Sequence, residues 1–275
     1  MNQTFSLNRF GRLLRTYLSD NRGSLLVNIV LLIGGLAVLA LVIYRLVPAS
    51  VDRSRYALLF FVGWAAWYVF AVQQVATLNE KERAITYLLR PASVFEKYLL
   101  VLLVSGIGFL LVYLTVFTLI DAVGVSFVNH RNWTTMQLSQ IRMMGGRLHI
   151  EPYYESDVLR HTPTSVWVFS ALLHPVVLTI ALLIRRFSLA LVAVVILGIL
   201  VIGLLGNEFL MSGLFEEQEV SAGFPFSNPS VIRSNTTHQI ELPKPIGDQI
   251  RYAVGILAVV LLYVTVYFRI KEREV

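Results

Sequence analysis

Five side chains in one stretch have the chemistry to hold a metal: His149, Glu151, Glu155, Asp157 and His161. Imidazoles and carboxylates are ordinary ligands, but their spacing here reproduces no established ligand pattern, and the stretch reads as a solvated loop. His174 stands instead inside an apolar run, directly before Pro175. An ionisable group within a membrane span is a functional candidate, because its burial costs free energy that packing alone does not recover. Gln73 and Gln74 lie near one end of another apolar run, where they could line a path or hydrogen-bond a neighbouring helix. A neutral histidine bonded to backbone, and glutamines that only pack, are the competing readings.

No nucleophile with a base beside it can be found. The chain has no cysteine, which removes disulfides, thiolate metal sites and a thiol nucleophile. It contains no G-x-x-x-x-G-K-[ST] loop to cradle nucleotide phosphates, no H-E-x-x-H and no G-x-S-x-G elbow. The tandem Glu216-Glu217 falls in a loop between apolar runs. The expectation is a chain that is not an enzyme and carries no cofactor or metal of its own.

The elements that hold these residues are membrane spans. The 275-residue chain is 56% hydrophobic and 15% charged, too apolar for an ordinary soluble domain. Six runs have roughly the 17–25 residues that cross a hydrocarbon core: Leu25–Val47, Tyr56–Leu78, Tyr98–Ile120, Val166–Ile184, Phe187–Gly206 and Ile250–Phe268. Lipid offers the backbone no hydrogen bonds, so each must be helical. The fold class expected is an all-α membrane protein, with residues 1–275 as one transmembrane domain. Residues 121–165 and 207–249 are outer loops. The second opens on a short interfacial helix around Phe209, Leu210, Met211, Leu214 and Phe215, and Pro225, Pro229, Pro243 and Pro245 keep the rest irregular. Asp121 is expected at the outer interface.

Ahead of the spans, residues 6–22 form an amphipathic interfacial helix. Leu7, Phe10, Leu13, Leu14, Tyr17 and Leu18 fall in an arc of roughly 140° at helical spacing, with Arg9, Arg12 and Arg15 outside it. An apolar face opposed by arginines suits the plane of a bilayer surface, so membrane lipid is one expected partner. The first apolar run begins too late and runs too long for a cleavable leader, and it reads as a retained anchor. The net charge of +6 could suggest nucleic acid, yet the cations flank apolar runs rather than forming one basic face. Topology accounts for them. Arg9, Arg12, Arg15, Arg22, Lys81, Arg83, Arg90, Lys97, Arg185, Arg186, Arg269, Lys271 and Arg273 share one side if both termini are cytoplasmic. No nucleic-acid partner is expected.

Residues 79–97 join the second and third spans. Glu80, Lys81, Glu82 and Arg83 open the stretch, and Ala84 to Leu89 has helical composition. Arg90-Pro91 ends that helix, because a residue before proline is pushed out of the α region. Ser93 and Glu96 then spell S-x-x-E, a capping box that starts the next helix at about Ser93. The result is a stiff charged elbow between two spans; a solvated connection with good caps is the plain alternative.

The run "ERAITYLLRPASVFEKY", residues 82–98, resembles the stretch of type-2 ATP-binding-cassette (ABC) export permeases in which an LL-x-P-x-S-x-x-E-K-like sequence joins the second and third spans. The likeness covers about twenty residues in sequence and nearly the whole chain in layout; the long 121–165 loop departs from it. The resemblance implies that Glu82, Arg83, Tyr87, Leu88, Leu89, Pro91, Ser93 and Lys97 form a coupling helix against a separate nucleotide-binding ATPase subunit, which binds ATP and Mg. It further implies a second permease copy and a bacterial plasma (cytoplasmic) membrane. A non-transporting membrane scaffold and a membrane enzyme acting on lipid remain the other function classes.

Overall fold

The computed structural model describes residues 5–79, 91–143, 148–155, 159, 162–184, 188–214, 219–221, 230–233, 236–239, 243 and 246–273. Its helices, in chain order, are α1 (Leu7–Ile43), α2 (Pro48–Ala57), α3 (Gly63–Asn79), α4 (Val94–Leu102), α5 (Phe109–Asn129), α6 (Thr135–Met143), α7 (Thr164–Leu183), α8 (Ser188–Leu214) and α9 (Ile246–Glu272). A π-helical turn, Leu58–Val62, makes α2 and α3 continuous, and a second, Leu103–Gly108, does the same for α4 and α5. Six helices are long and apolar enough to cross a membrane: Leu7–Ile43, Ser50–Ala76, Val94–Asn129, Thr164–Leu183, Leu189–Gly213 and Gln249–Glu272. Helical spans satisfy every backbone group internally, as a multi-pass membrane protein requires.

Several boundaries differ from the sequence reading: the second span begins at Ser50 rather than Tyr56 and the third at Val94 rather than Tyr98, and three further differences bear on the fold. The amphipathic segment and the first span are one unbroken 37-residue helix rather than two elements. Nothing stops it: no proline occurs between Ser6 and Pro48, a single helical glycine such as Gly23 costs only about 1 kcal/mol, and Asn21 Nδ2 donates to the Tyr17 carbonyl at 2.9 Å instead of capping. The third span continues to Asn129, so Asp121 is a buried helical residue and not the start of a loop. The fifth runs through Asn207 to Leu214, absorbing most of the separate interfacial helix expected there.

The expected irregular loop also holds a small antiparallel sheet, β1 (Glu219–Ser221), β2 (Ser230–Arg233) and β3 (Thr236–Gln239), in the order β1-β2-β3. Its register pairs Val220 with Val231 and Ile232 with Thr237. Of the four prolines of this stretch, Pro243 is non-helical and outside any strand, and the other three lie outside the described residues.

The chain divides into two compact units. In the first, residues 1–70 and 95–161, side-chain pairings fix the run of the helices. Arg9 meets Glu96 and Tyr44 meets Asp121, so α1 and α4–α5 rise together. Trp67 meets Ser105 while Leu58 and Leu59 meet Tyr113, so α2–α3 runs the opposite way. That is the alternation three successive spans need. Each π turn is braced by an aromatic side chain from the opposite helix. A π turn replaces i→i+4 bonds by i→i+5 bonds and disturbs the carbonyl ladder. Trp67 Nε1–H donates 2.7 Å to Ser105 O in one turn, and Tyr113 OH donates 2.8 Å to Leu59 O in the other. Rings of Trp67, Phe109, Tyr113 and Phe117 stack in sequence at centroid spacings of 6.1, 5.8 and 6.2 Å.

In the second unit, residues 71–94 and 162–275, α7 packs along α9. His174–Tyr263 and Arg273–Leu182 join positions 89 and 91 residues apart, so the two helices run parallel and the chain returns between them through α8. Gly255 permits the approach: a Cβ there would lie 2.7 Å from Val168 Cγ1.

Candidate functional site

Polar chemistry in the first unit is concentrated at the two ends of the α4–α5 helix. At the first turn of α4, Glu96 is fully buried. Its Oε1 accepts from the backbone N–H of Ser6 at 2.8 Å and from Arg9 Nη2 at 3.0 Å. Ser6 is the N-cap of α1. A carboxylate there complements the positive end of the helix dipole, here supplied by a residue 90 positions further along the chain. Phe5 and Phe95 meet edge to face at 5.9 Å beside the pair, with Phe10 6.1 Å from Phe5. The arrangement is an ionic latch between the start of α1 and the start of α4.

At the other end, Asp121 and Arg55 are each 1% exposed. Asp121 Oδ1 accepts from Tyr44 OH at 2.5 Å and lies 3.8 Å from Arg55 Nη1. Arg55 Nη2 also meets Asp52 at 2.6 Å. Buried charges survive only when paired and hydrogen-bonded. Here both charges are paired, although Arg55 Nε and Asp52 Oδ1 take part in no hydrogen bond among the described residues. Gly124 makes room for it: a Cβ there would stand 2.5 Å from the Tyr44 ring. Sequence reading passed over Arg55 altogether. The only hint was an arginine and an aspartate at the edges of two apolar runs, and nothing local pairs positions 55 and 121.

In the second unit His174 is buried in mid-α7, and its Nδ1 lies 2.8 Å from Tyr263 OH. Pro175 removes the N–H that would have bonded the Ala171 carbonyl. Thr179 Oγ1 donates to the Pro175 carbonyl at 2.7 Å, tying the turn beyond the proline. The histidine thus joins two parallel helices. Gln73 is exposed and Gln74 half-buried, both on α3.

Of the elbow residues, Glu82, Arg83, Tyr87, Leu88 and Leu89 lie outside the described residues, as does Arg90. Pro91 is exposed and non-helical, Ser93 directly precedes α4, and Lys97 is buried. The helix expected to start at about Ser93 begins at Val94, four residues ahead of the Tyr98 expected for the third span. In the amphipathic segment Leu13 is buried, Phe10, Leu14 and Tyr17 are half-buried, and Arg12 and Arg15 are exposed. Arg9 departs from that pattern by turning to Glu96. Asp157 and His161 lie outside the described residues, and among those described no three His, Asp or Glu side chains group to hold a metal.

Set against known proteins, the chain matches no family model, no curated protein and no solved structure.

Proposed function

We propose that this chain is the membrane-spanning permease subunit of an ABC-type exporter, moving its substrate with energy from ATP hydrolysed by a separate nucleotide-binding subunit. It is not itself the enzyme: ATP and Mg bind the partner. Two copies pair around the substrate path in a bacterial plasma membrane, with both termini cytoplasmic. The elbow of Glu82, Arg83, Tyr87, Leu88, Leu89, Pro91, Ser93 and Lys97 receives the push from the ATPase.

One observation carries the reading beyond sequence likeness. Glu96, in the first turn after the elbow, is buried and bonded to Ser6 and Arg9. A displacement of the elbow at Pro91–Ser93 is therefore delivered to two helices at once, α4 through the chain and α1 through the latch. A solvated connecting loop has no need of a buried carboxylate at its exit.

The membrane-surface role of α1 has its own support. From Arg9 to Tyr44 is about 35 residues and from Glu96 to Asp121 about 25, yet the two stretches are joined at both ends. At 1.5 Å per residue α1 has about 15 Å more length between these contacts than its partner, room for its first turns to lean toward the bilayer surface. Arg12 and Arg15 on the exposed side suit anionic headgroups. Gln73 and Gln74 are the polar groups offered to a substrate path; His174, expected there too, is buried against Tyr263 and would have to change partner to join them.

Capture of the chain from its native membrane tests the proposal. An ATP-hydrolysing chain should come with it in stable ratio. A captured protein that hydrolyses no ATP would refute the reading.

A further inference from the structure

Residues 148–155 are held by hydrogen bonds to their backbone and by the side chains of Ile150 and Tyr153, the Tyr153 hydroxyl lying 3.1 Å from Thr118 Oγ1. Asn129 clasps Ile150 from both sides, donating Nδ2–H to its carbonyl and accepting its N–H at Oδ1, each at 2.9 Å. Arg55 Nη1 donates to the Glu151 carbonyl at 2.6 Å, and Asp121 Oδ2 accepts the Tyr153 N–H at 3.0 Å. Two side chains then plug the segment down. Ile150 enters the buried cluster of Ala40, Tyr44, Val51, Val125 and Val128, while the Tyr153 ring stands edge-on to Phe117 at 5.1 Å.

We infer that residues 148–155 form a detachable strap that closes the Asp121 end of the first unit's helices, with Arg55, Asp121 and Asn129 as its clasp. The inference goes beyond the transport reading and does not depend on it.

The argument for detachment is what each clasp residue keeps when the strap leaves. Charged groups torn from their partners in a buried place resist opening strongly. Here neither loses every partner. Arg55 retains its ion pair with Asp52, one helical turn away at 2.6 Å, although Asp52 Oδ1 takes part in no hydrogen bond among the described residues. Asp121 retains the Tyr44 hydroxyl at 2.5 Å and Arg55 at 3.8 Å. Asn129 is half-buried, and its amide can turn to water. The closed state is itself incompletely satisfied, since the buried Arg55 Nε has no hydrogen-bond acceptor among the described residues. A permanent anchor would be expected to satisfy the guanidinium in full and to fail badly when broken. This one exchanges partners. What remains to be overcome is the exposure of Ile150 and Tyr153 and one hydroxyl contact, Tyr153 OH to Thr118 Oγ1 at 3.1 Å.

The absence of cysteine gives a clean test in the full chain. Val125→Cys sits in the cluster that Ile150 covers, and Val168→Cys, also buried, serves as control in the second unit. Each is treated in native membranes with a membrane-impermeant methanethiosulfonate, alone and together with Asn129→Ala. Removing the double bond to Ile150 should raise the modification rate at Cys-substituted position 125 at least tenfold and leave position 168 unchanged. No rise at position 125 would show that the segment covers nothing. Equal rises at both positions would make it a stitch of the whole fold, which overturns the strap equally.

Discussion

Arg9 and Glu96 stand 87 residues apart in the chain and 3.0 Å apart in space. The carboxylate is fully buried, while the guanidinium keeps about a third of its surface open. That asymmetry decides what each substitution does. Arg9→Ala should be the costlier, by about 1.5–3 kcal/mol, because it leaves a buried carboxylate without its cation. Glu96→Gln should cost less than about 1 kcal/mol, because the amide oxygen still accepts from Ser6 and Arg9 can turn to water. Thermal unfolding in detergent ranks the two, and the reverse order would mean that the latch is not buried as described.

Gly124 and Gly34 form a matched pair. Gly124→Ala drives a methyl into the Tyr44 ring, 2.5 Å from where its Cβ must go, and should destabilise by about 1–3 kcal/mol. Gly34 has nothing within 4 Å of a Cβ, so Gly34→Ala should be neutral or gain up to about 1 kcal/mol from helix propensity. Equal effects in a melting experiment would rule out the close approach of α1 and α5.

Asp121→Ala removes the carboxylate shared by Tyr44, Arg55 and the Tyr153 amide, with an expected loss of about 3 kcal/mol. Adding Arg55→Met should recover part of it, since the uncompensated buried charge goes too. Denaturant melts of both singles and the double complete the cycle. Strict additivity would show that the two charges do not act together.

These contacts explain how far the sequence could be read. Each apolar run of about twenty residues announces a helix by length alone, and six were legible for that reason. Where the helices end was not, because partners distant in sequence decide it. Asp121 looks like a loop residue until Tyr44 and the Tyr153 amide take up its carboxylate. The amphipathic segment and the first span read as two elements, ending at residue 22 and beginning at Leu25, because the face pattern changes there. Asn21 instead turns its side chain onto the Tyr17 carbonyl and the helix runs on. Glu96 reads as the far half of a capping box with Ser93, a local pattern at the right spacing. Its bonds to Ser6 and Arg9 lie beyond any window of periodicity. The Arg55 cluster left no signal because charge pairing across 66 positions has no sequence signature.

Topology carries its own prediction. If both termini are cytoplasmic, a cysteine replacing Ser221 reacts with an impermeant reagent on intact cells and one replacing Thr86 does not. The opposite labelling would invert the protein and take the elbow away from any cytoplasmic ATPase.

The central claim is that the elbow binds an ATPase, and one ratio tests it most directly: ATPase captured per copy of this chain from native membranes, for the wild type and for Arg83→Glu. Reversing a charge at a protein contact sets like charges together and can cost several kcal/mol where solvent is excluded, whereas insertion of the spans depends on their apolar length and is untouched. The account predicts normal abundance of the Arg83→Glu chain in the membrane and an ATPase ratio at least tenfold below that of the wild type. An unchanged ratio, or a wild-type chain that brings no ATPase at all, would contradict it.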